Sequence, residues 1–249
     1  MPEGDTIFRA ATSLRKWLVG RPVTAASSLK VPVERLVGDE VEAVEARGKH
    51  LLIRFAGGLT LHTHMRMTGA WHVYRAGEKW RKPRHLAGVV LECGDRVAVC
   101  FSAPVVELLP TRTEVLHPVL AGLGPDILSA PVDVDEVLRR AGGQPADVPI
   151  GDLLLDQQVV AGIGNIWRCE ALFVCRVHPA TAHPATDLAE LVRTASRLMQ
   201  AHARLGATYR PQIYGRSGRP CLRCRTPIES ARAGRHARTA YWCPRCQPS

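Results

Sequence analysis

The sequence predicts an α+β chain of more than one domain. Three observations carry this: an amphipathic helix followed by seven short β-like runs fills the first part, helical texture takes over beyond Pro149, and two Cys-x-x-Cys pairs close the C-terminus. With 249 residues, 46% hydrophobic and 22% charged, the chain can bury one large core, or two modest ones plus a small module.

From Asp5, apolar residues at Ile7, Ala10, Ala11, Leu14 and Leu18 recur with helical spacing, and Gly20-Arg21-Pro22 ends the pattern. The runs PVTAASSL, VEAVEA, HLLIRFA, LTLHTHM, WHVY, AGVVLE and RVAVCFS follow, separated by turns such as Ala56-Gly57-Gly58 and Cys93-Gly94-Asp95. Seven strands at this spacing predict an N-terminal β-sandwich over residues 1–115. Residues 116–148, rich in Pro and Gly around the short helix DVDEVLRR, read as a connection. A helical domain is expected over 149–214: IGDLLLDQQVV forms one helix, AGIGN interrupts it, and IWRCEALFVC forms the next. A further helix runs from Asp187 to Leu205, with Asp187 as N-cap, Glu190 three residues on, and Gly206 as its end.

Residues 215–249 form the last module. Cys221, Cys224, Cys243 and Cys246, in CLRC and CPRC with eighteen residues between the pairs, suit one structural zinc ion, because four thiolates complete a tetrahedron and leave no open position. The module holds eight arginines against one acidic side chain, Glu229, so a β-hairpin braced by zinc would present cations to phosphates. The remaining cysteines, Cys93, Cys100, Cys169 and Cys175, lack paired ligand spacing and read as core residues. His62 and His64 would share one face of a strand, but no third ligand is suggested near them, so no metal is expected there.

The formal net charge is +10 with a pI of about 9.6, and lysine occurs only at positions 16, 30, 49, 79 and 82. Such a balance points to a polyanion as partner, the alternative being a solvated basic surface. No charged leader with an apolar run and no stretch of eighteen apolar residues appears, so neither export nor membrane spanning is expected and a cytoplasmic address is.

At the start, removal of Met1 leaves Pro2 with a free secondary amine beside Glu3. A terminal amine titrates near 7.7–8.0, so an appreciable fraction is nucleophilic at neutral pH without burial. Pro and Glu are also residues that open helices, and the dipeptide alone does not separate the two roles.

Four motifs in order, MPEG at the N-terminus, RGKHLLI at 47–53, LDQQVVAGIGNIWRCE at 155–170 and the four-cysteine finger, resemble the Fpg/Nei family of DNA glycosylases across the whole chain. MPEG is closer to the Nei (endonuclease VIII) branch. The resemblance implies a bifunctional DNA glycosylase/AP lyase of base excision repair, with a β-sandwich carrying the catalytic helix, a helix-two-turn-helix domain and a zinc finger, and DNA lying across the cleft between the domains. It implies that the Pro2 nitrogen attacks C1′ of the damaged nucleotide to give an iminium, that β,δ-elimination then cleaves the strand, and that Glu3 moves protons. Lys49 matches the lysine at the lesion phosphate, Asn165 a phosphate-gripping asparagine that also suits a helix cap, and Arg238 the finger arginine that holds the phosphates flanking the extruded nucleotide and completes the catalytic set. Met67, with Arg66 and Thr68 beside it, matches the wedge that fills the vacated stack, although a strand-end core methionine is the other reading.

Two departures stand out. Thr6 replaces a glutamate the family often carries, and SAPVVELLP lacks the Arg and Phe with which the Fpg branch completes void filling. Oxidised pyrimidines are therefore the expected lesions, with Fpg-like removal of 8-oxoguanine, or a catalytically silent nucleic-acid-binding protein, as the alternatives. Damaged duplex DNA is the expected partner, with single-stranded or bubble DNA as further candidates, and a monomer associated with the nucleoid is the expected state.

Overall fold

A computed structural model describes residues 2–205, 208–235 and 237–249. The chain forms two compact units, Met1–Ala121 and Gly122–Ser249. Gly206, expected to end a helix, and Met1 lie outside the described residues.

The first unit opens with α1 (Gly4–Leu18), followed by β1 (Ala25–Ser28), β2 (Val41–Arg47), β3 (His50–Phe55), β4 (Leu59–His64), β5 (Ala70–Arg75), β6 (Ala87–Cys93), β7 (Arg96–Phe101) and β8 (Val105–Pro110). These pair into two antiparallel four-stranded sheets, β1-β6-β7-β5 and β2-β3-β4-β8. Alternation along each strand sends Val44, Leu51, Ile53, Leu61 and Val106 of one sheet against Val89, Leu91, Ala98 and Cys100 of the other, a sandwich core of buried side chains. Helix α1 adds Ile7, Ala11, Leu14 and Leu18 to that core and packs on β2 and β5, the edge strands of the two sheets. On β2 the open edge is partly closed by Arg15, whose Nε and Nη2 donate to the Val44 carbonyl at 3.1 and 2.6 Å. The helix start, and with it Pro2 and Glu3, is thereby held against the sandwich.

Strand β8 corrects the sequence reading, which has seven strands. Its run, VVELLP, follows Pro104 and ends in Pro110, punctuation that reads as loop. Because β8 is an edge strand, Pro110 closes it opposite Leu59 without removing a bond that a central strand would need.

The outer face of the β2-β3-β4-β8 sheet is polar and covered by residues 111–120. Arg54 of β3 donates to both oxygens of Glu114, at 2.9 and 2.7 Å, and to Glu45 at 2.6 Å, while the Thr60 hydroxyl donates to Glu114 at 2.5 Å. Glu114 is buried, and these bonds, together with burial that opposes them, leave its carboxyl below the usual range.

The second unit contains α2 (Val134–Gly142), α3 (Ile150–Leu153), α4 (Asn165–Cys175), α5 (Leu188–Leu205), β9 (Glu229–Ala233) and β10 (Arg238–Trp242). Helix α5 starts as its sequence predicts, with the Asp187 carboxylate accepting from the Glu190 N–H at 2.9 Å. The helix expected over IGDLLLDQQVV is only one turn, α3. Beyond it the side chains take over the backbone groups: Asp156 Oδ1 accepts from Gln158 N at 2.9 Å, Gln157 Nε2 donates to Leu155 O at 2.7 Å, and Gln157 Oε1 accepts from Gly162 N at 3.0 Å. These bonds hold the two turns that separate α3 from α4. Among the described residues no helix is long and apolar enough to cross a membrane.

Candidate functional site

Glu3 occupies the N-cap of α1, where its carbonyl accepts from Thr6 N and Ile7 N at 3.0 and 3.1 Å. Its side chain makes no capping bond to the helix and is 1% exposed. A carboxyl buried at a helix start without serving as the cap is not explained by helix opening alone. Pro2, half-buried, lines a cleft of ≈ 570 Å³ whose other walls include Thr6, Met65, Gly69, Trp71 and His72. Thr6 is exposed there, one turn into α1.

The loop between β4 and β5 reaches the same cleft. It is a tight construction: Gly69 N donates to Met65 O at 2.9 Å, a Cβ at Gly69 would sit 2.8 Å from Met65 Cα, and Arg66 takes a left-handed φ of 44° with its N–H on His64 Nδ1 at 3.1 Å. The Thr68 hydroxyl ties the loop to Ser102 O at 3.1 Å. Within it Met65 is the buried core methionine, and Met67 is 54% exposed. The strand-end core reading therefore belongs to Met65, and Met67 stands on the surface beside Arg66.

Lys49 sits in the two-residue turn between β2 and β3, where Arg47 pairs with His50 and Gly48 supplies the φ of +59° the turn requires. Its charge, with that of Arg66, is felt at His64, which burial, then Arg66, then Lys49 push down to about 4. Lys49 and the base of the Met67 loop thus share one cationic neighbourhood.

The sequence reading that His62 lacks further ligands is corrected here. Atoms of His62, Glu107 and His117 all lie within 4.8 Å of one another. Glu107 could not be found because it lies on the unforeseen strand β8, directly across the ladder from His62.

In the second unit Asn165 is the first residue of α4, while Gly164 is the N-cap and no side chain caps the helix, so the capping role expected of Asn165 is not the one observed. Its Nδ2 instead donates to Thr239 O on β10 at 2.9 Å, and its Oδ1 accepts from Arg168. Asn165 is 6% exposed. Arg238, the neighbour of Thr239, is exposed at the start of β10. The hairpin turn is held by Asp152 of α3, whose Oδ2 accepts from Arg235 N at 2.8 Å.

The four finger cysteines converge so that all four sulfurs lie within 4.8 Å of one another, with Cys221 and Cys246 Sγ 4.0 Å apart and Cys224 and Cys243 Sγ 3.4 Å apart. A tetrahedral zinc with bonds of about 2.3 Å has sulfur–sulfur edges of about 3.8 Å, so the residues fit the ion. Hydrogen bonds from Thr226 draw the Cys224 thiol down to about 6, whereas burial and the neighbouring sulfurs push Cys246 up to about 12. A dication removes that conflict by holding all four as thiolates. The finger is docked on α4 by Arg223, which lies 4.3 Å over the Phe173 ring and donates to Phe173 O at 2.8 Å, a cation placed at a helix C-terminus. Cys93 and Cys100 are core thiols raised by burial to about 11 and 12, and Cys169 is buried as well. Cys175 departs from its core assignment, being only half-buried at the end of α4.

Three family descriptions match the chain in order: formamidopyrimidine-DNA glycosylase N-terminal domain over residues 1–104, formamidopyrimidine-DNA glycosylase H2TH domain over 123–209, and the zinc finger found in FPG and IleRS over 218–248. A probable endonuclease 8 2 of Streptomyces coelicolor is 40% identical over 99% of this chain and 94% of its own length. DNA-(apurinic or apyrimidinic site) lyase Nei2 of Mycolicibacterium smegmatis is 36% identical over 99% of both chains, and endonuclease 8 of Escherichia coli 34% identical over 99% of this chain and all of its own. Among solved structures, Lactococcus lactis Fpg in complex with a DNA containing N7-benzyl-Fapy-dG shares the fold with a TM-score of 0.85 at 21% identity, each chain covered completely.

Proposed function

The chain belongs to the Fpg/Nei family, and on that premise we propose that it is a bifunctional DNA glycosylase/AP lyase of base excision repair that uses the Pro2 amine and releases oxidised pyrimidines ahead of oxidised purines. The observation that supports this reading is the cleft at the start of α1, which gathers Pro2, the walls of the Met67 loop and the neighbourhood of a buried, non-capping Glu3.

In the first step the Pro2 nitrogen gives its lone pair to C1′ of the extruded nucleotide, the glycosidic bond breaks, and its electron pair leaves with the base. The Pro2 nitrogen then gives up its proton, O4′ takes one as the C1′–O4′ bond breaks and the sugar ring opens, and the nitrogen lone pair completes a C1′=N⁺ iminium, which a secondary amine cannot discharge to a neutral imine. That charge acidifies the C2′ protons. Loss of one expels the 3′ phosphate, and a second elimination expels the 5′ phosphate. Glu3, buried at the start of α1 one residue after Pro2, serves the proton transfers at the sugar. Lys49 neutralises a phosphate at the lesion, and in the second unit Asn165 and Arg238 serve the flanking phosphates. Zinc supplies no chemistry: four sulfurs fill its coordination and leave it the role of bracing the hairpin that carries Arg238.

The lesion follows from what can be held out of the helix. Met67 is the exposed apolar side chain of its loop, and the stretch Ser102–Pro110, whose last six residues are β8, has neither the Arg nor the Phe of the Fpg branch. Ring-saturated pyrimidines have lost planarity and stacking, so extruding them takes less of the few kcal/mol a normal base demands. The partner is damaged duplex DNA bound by a monomer in the nucleoid, with single-stranded and bubble DNA accepted where the lesion is already unstacked. Single-turnover release from matched duplexes tests the reading. Thymine glycol and dihydrouracil should leave faster than 8-oxoguanine opposite cytosine, with strand cleavage accompanying release. The reverse order would overturn the lesion assignment, and binding without release would overturn the enzyme.

A further inference from the structure

A hydrogen-bonded chain crosses the outer face of the β2-β3-β4-β8 sheet and ends beside Lys49. His62 on β4 pairs across the ladder with Glu107 on β8, and on its other side with Leu52 of β3, which makes His50 its diagonal neighbour on the same face. His50 Nδ1 lies 2.8 Å from His62 Nε2, His62 Nδ1 lies 2.7 Å from Glu107 Oε2, and His117 Nε2 lies 3.0 Å from the same oxygen. His50 and His62 are buried, at 6% and 1% exposure.

The backbone decides where the protons sit. The N–H groups of Val119 and Leu120 both donate to His117 Nδ1, at 3.3 Å, so that nitrogen is bare and Nε2–H donates to Glu107. Glu107 as a carboxylate only accepts, so His62 carries its proton on Nδ1. His62 Nε2 is then an acceptor, and His50 donates to it from Nδ1. The same assignment speaks against a metal ion among His62, Glu107 and His117, because ligation through His117 Nε2 would put a proton on Nδ1 facing two N–H donors. Every ring in the chain is left with one tautomer and one orientation.

We propose that His50, His62 and Glu107 form a strut that positions Lys49. His50 directly follows Lys49 and closes the turn with Arg47, so whatever fixes the His50 ring fixes the backbone from which the lysine stem departs. The strut starts on edge strand β8, where the Glu107 side chain is 45% exposed and doubly anchored by His62 and His117, and runs inward to rings that burial immobilises. A lysine stem has four rotatable carbons and cannot hold its own direction. The direction in which the stem leaves the turn therefore contributes to where the ammonium sits, and misplacement of about 1 Å can lower a rate by up to about a hundredfold. The consequence for turnover rests on the glycosylase reading, whereas the strut itself does not.

The test uses the five lysines as probes. Reductive methylation with ¹³C-formaldehyde labels the lysines at positions 16, 30, 49, 79 and 82 together with the N-terminal amine, and the Lys49 signal is assigned by its loss in Lys49→Ala. In His62→Leu the Lys49 signal should shift while the other four stay. In His62→Gln it should return towards the wild-type position, since the amide oxygen can accept from His50 and the amide N–H can donate to Glu107. A folded His62→Leu protein with an unmoved Lys49 signal overturns the proposal. If His62→Leu does not fold, Glu107→Leu, altered on the exposed strand, gives the same readout. In single-turnover excision, His62→Leu should lower the rate roughly tenfold in the wild-type background and leave the residual rate of Lys49→Ala unchanged. An equal fractional loss in both backgrounds would show that His62 does not act through Lys49. The spectroscopic arm needs no turnover, so an inactive wild-type protein would defeat the glycosylase reading alone.

Discussion

Acidification should loosen the first unit well before its carboxylates titrate, and His50 is the residue to watch. Its imidazole is pushed from the ordinary 6.5 down to about 3, first by burial and then by the charges that His64, His62, His117 and Lys49 place around it. A histidine with a depressed pKa binds fewer protons folded than unfolded. Its contribution to stability is therefore fully present above about 6.5 and is lost as the pH falls towards about 3. Between pH 7.5 and 5.0 the unfolded chain takes up nearly one proton at this position and the folded chain almost none, which amounts to about 2 kcal/mol. The assay is urea unfolding at the two pH values, each sample receiving the same brief deuterium pulse at one fixed pH, with protection read on peptides spanning β3 and β4. The wild-type protein should lose about 2 kcal/mol more than His50→Gln, in which the amide still donates to His62 Nε2 but cannot titrate. Equal losses in the two proteins would show that the proton enters elsewhere and that His50 is not the group that titrates.

The finger and the Lys49 turn yield further expectations. Cys224→Ser should release zinc, measured by metal analysis, and weaken DNA binding roughly tenfold or more, because the hairpin that carries Arg238 depends on the ion for its small core. A zinc-free protein with normal affinity would contradict this. Lys49→Ala should slow base release more than cleavage at a preformed abasic site, measured on matched duplexes, since the phosphate contact matters most while the base is being expelled. Equal losses would make Lys49 a general phosphate contact.

What the sequence discloses depends on how far apart the interacting residues are. The finger is legible because each cysteine pair is a local motif, and α1 because its core residues repeat every turn. Strand β8 is hidden by flanking prolines that an edge strand tolerates. Helix α3 stops early because Asp156 and Gln157 bond to backbone groups nearby, a competition that apolar periodicity does not register. The polar layer is illegible for another reason: His62 meets Glu107 across 45 positions of sequence. Asn165 reaches Thr239 across 74, so an asparagine that reads as a helix cap instead joins α4 to the finger strand. The resemblance supplies candidate roles for such residues, but their partners are visible only once the sheets and the hairpin are assembled.

The proposed catalysis depends most directly on the Pro2 nitrogen. Borohydride reduction in the presence of abasic-site DNA, followed by mass spectrometry of the N-terminal peptide, tests it in one measurement. Protein with Met1 removed should be captured with the sugar attached to Pro2, while protein that retains Met1 or carries an N-terminal extension should bind the same DNA and give no adduct. Undiminished capture by the extended protein, or an adduct on any residue other than Pro2, would contradict it.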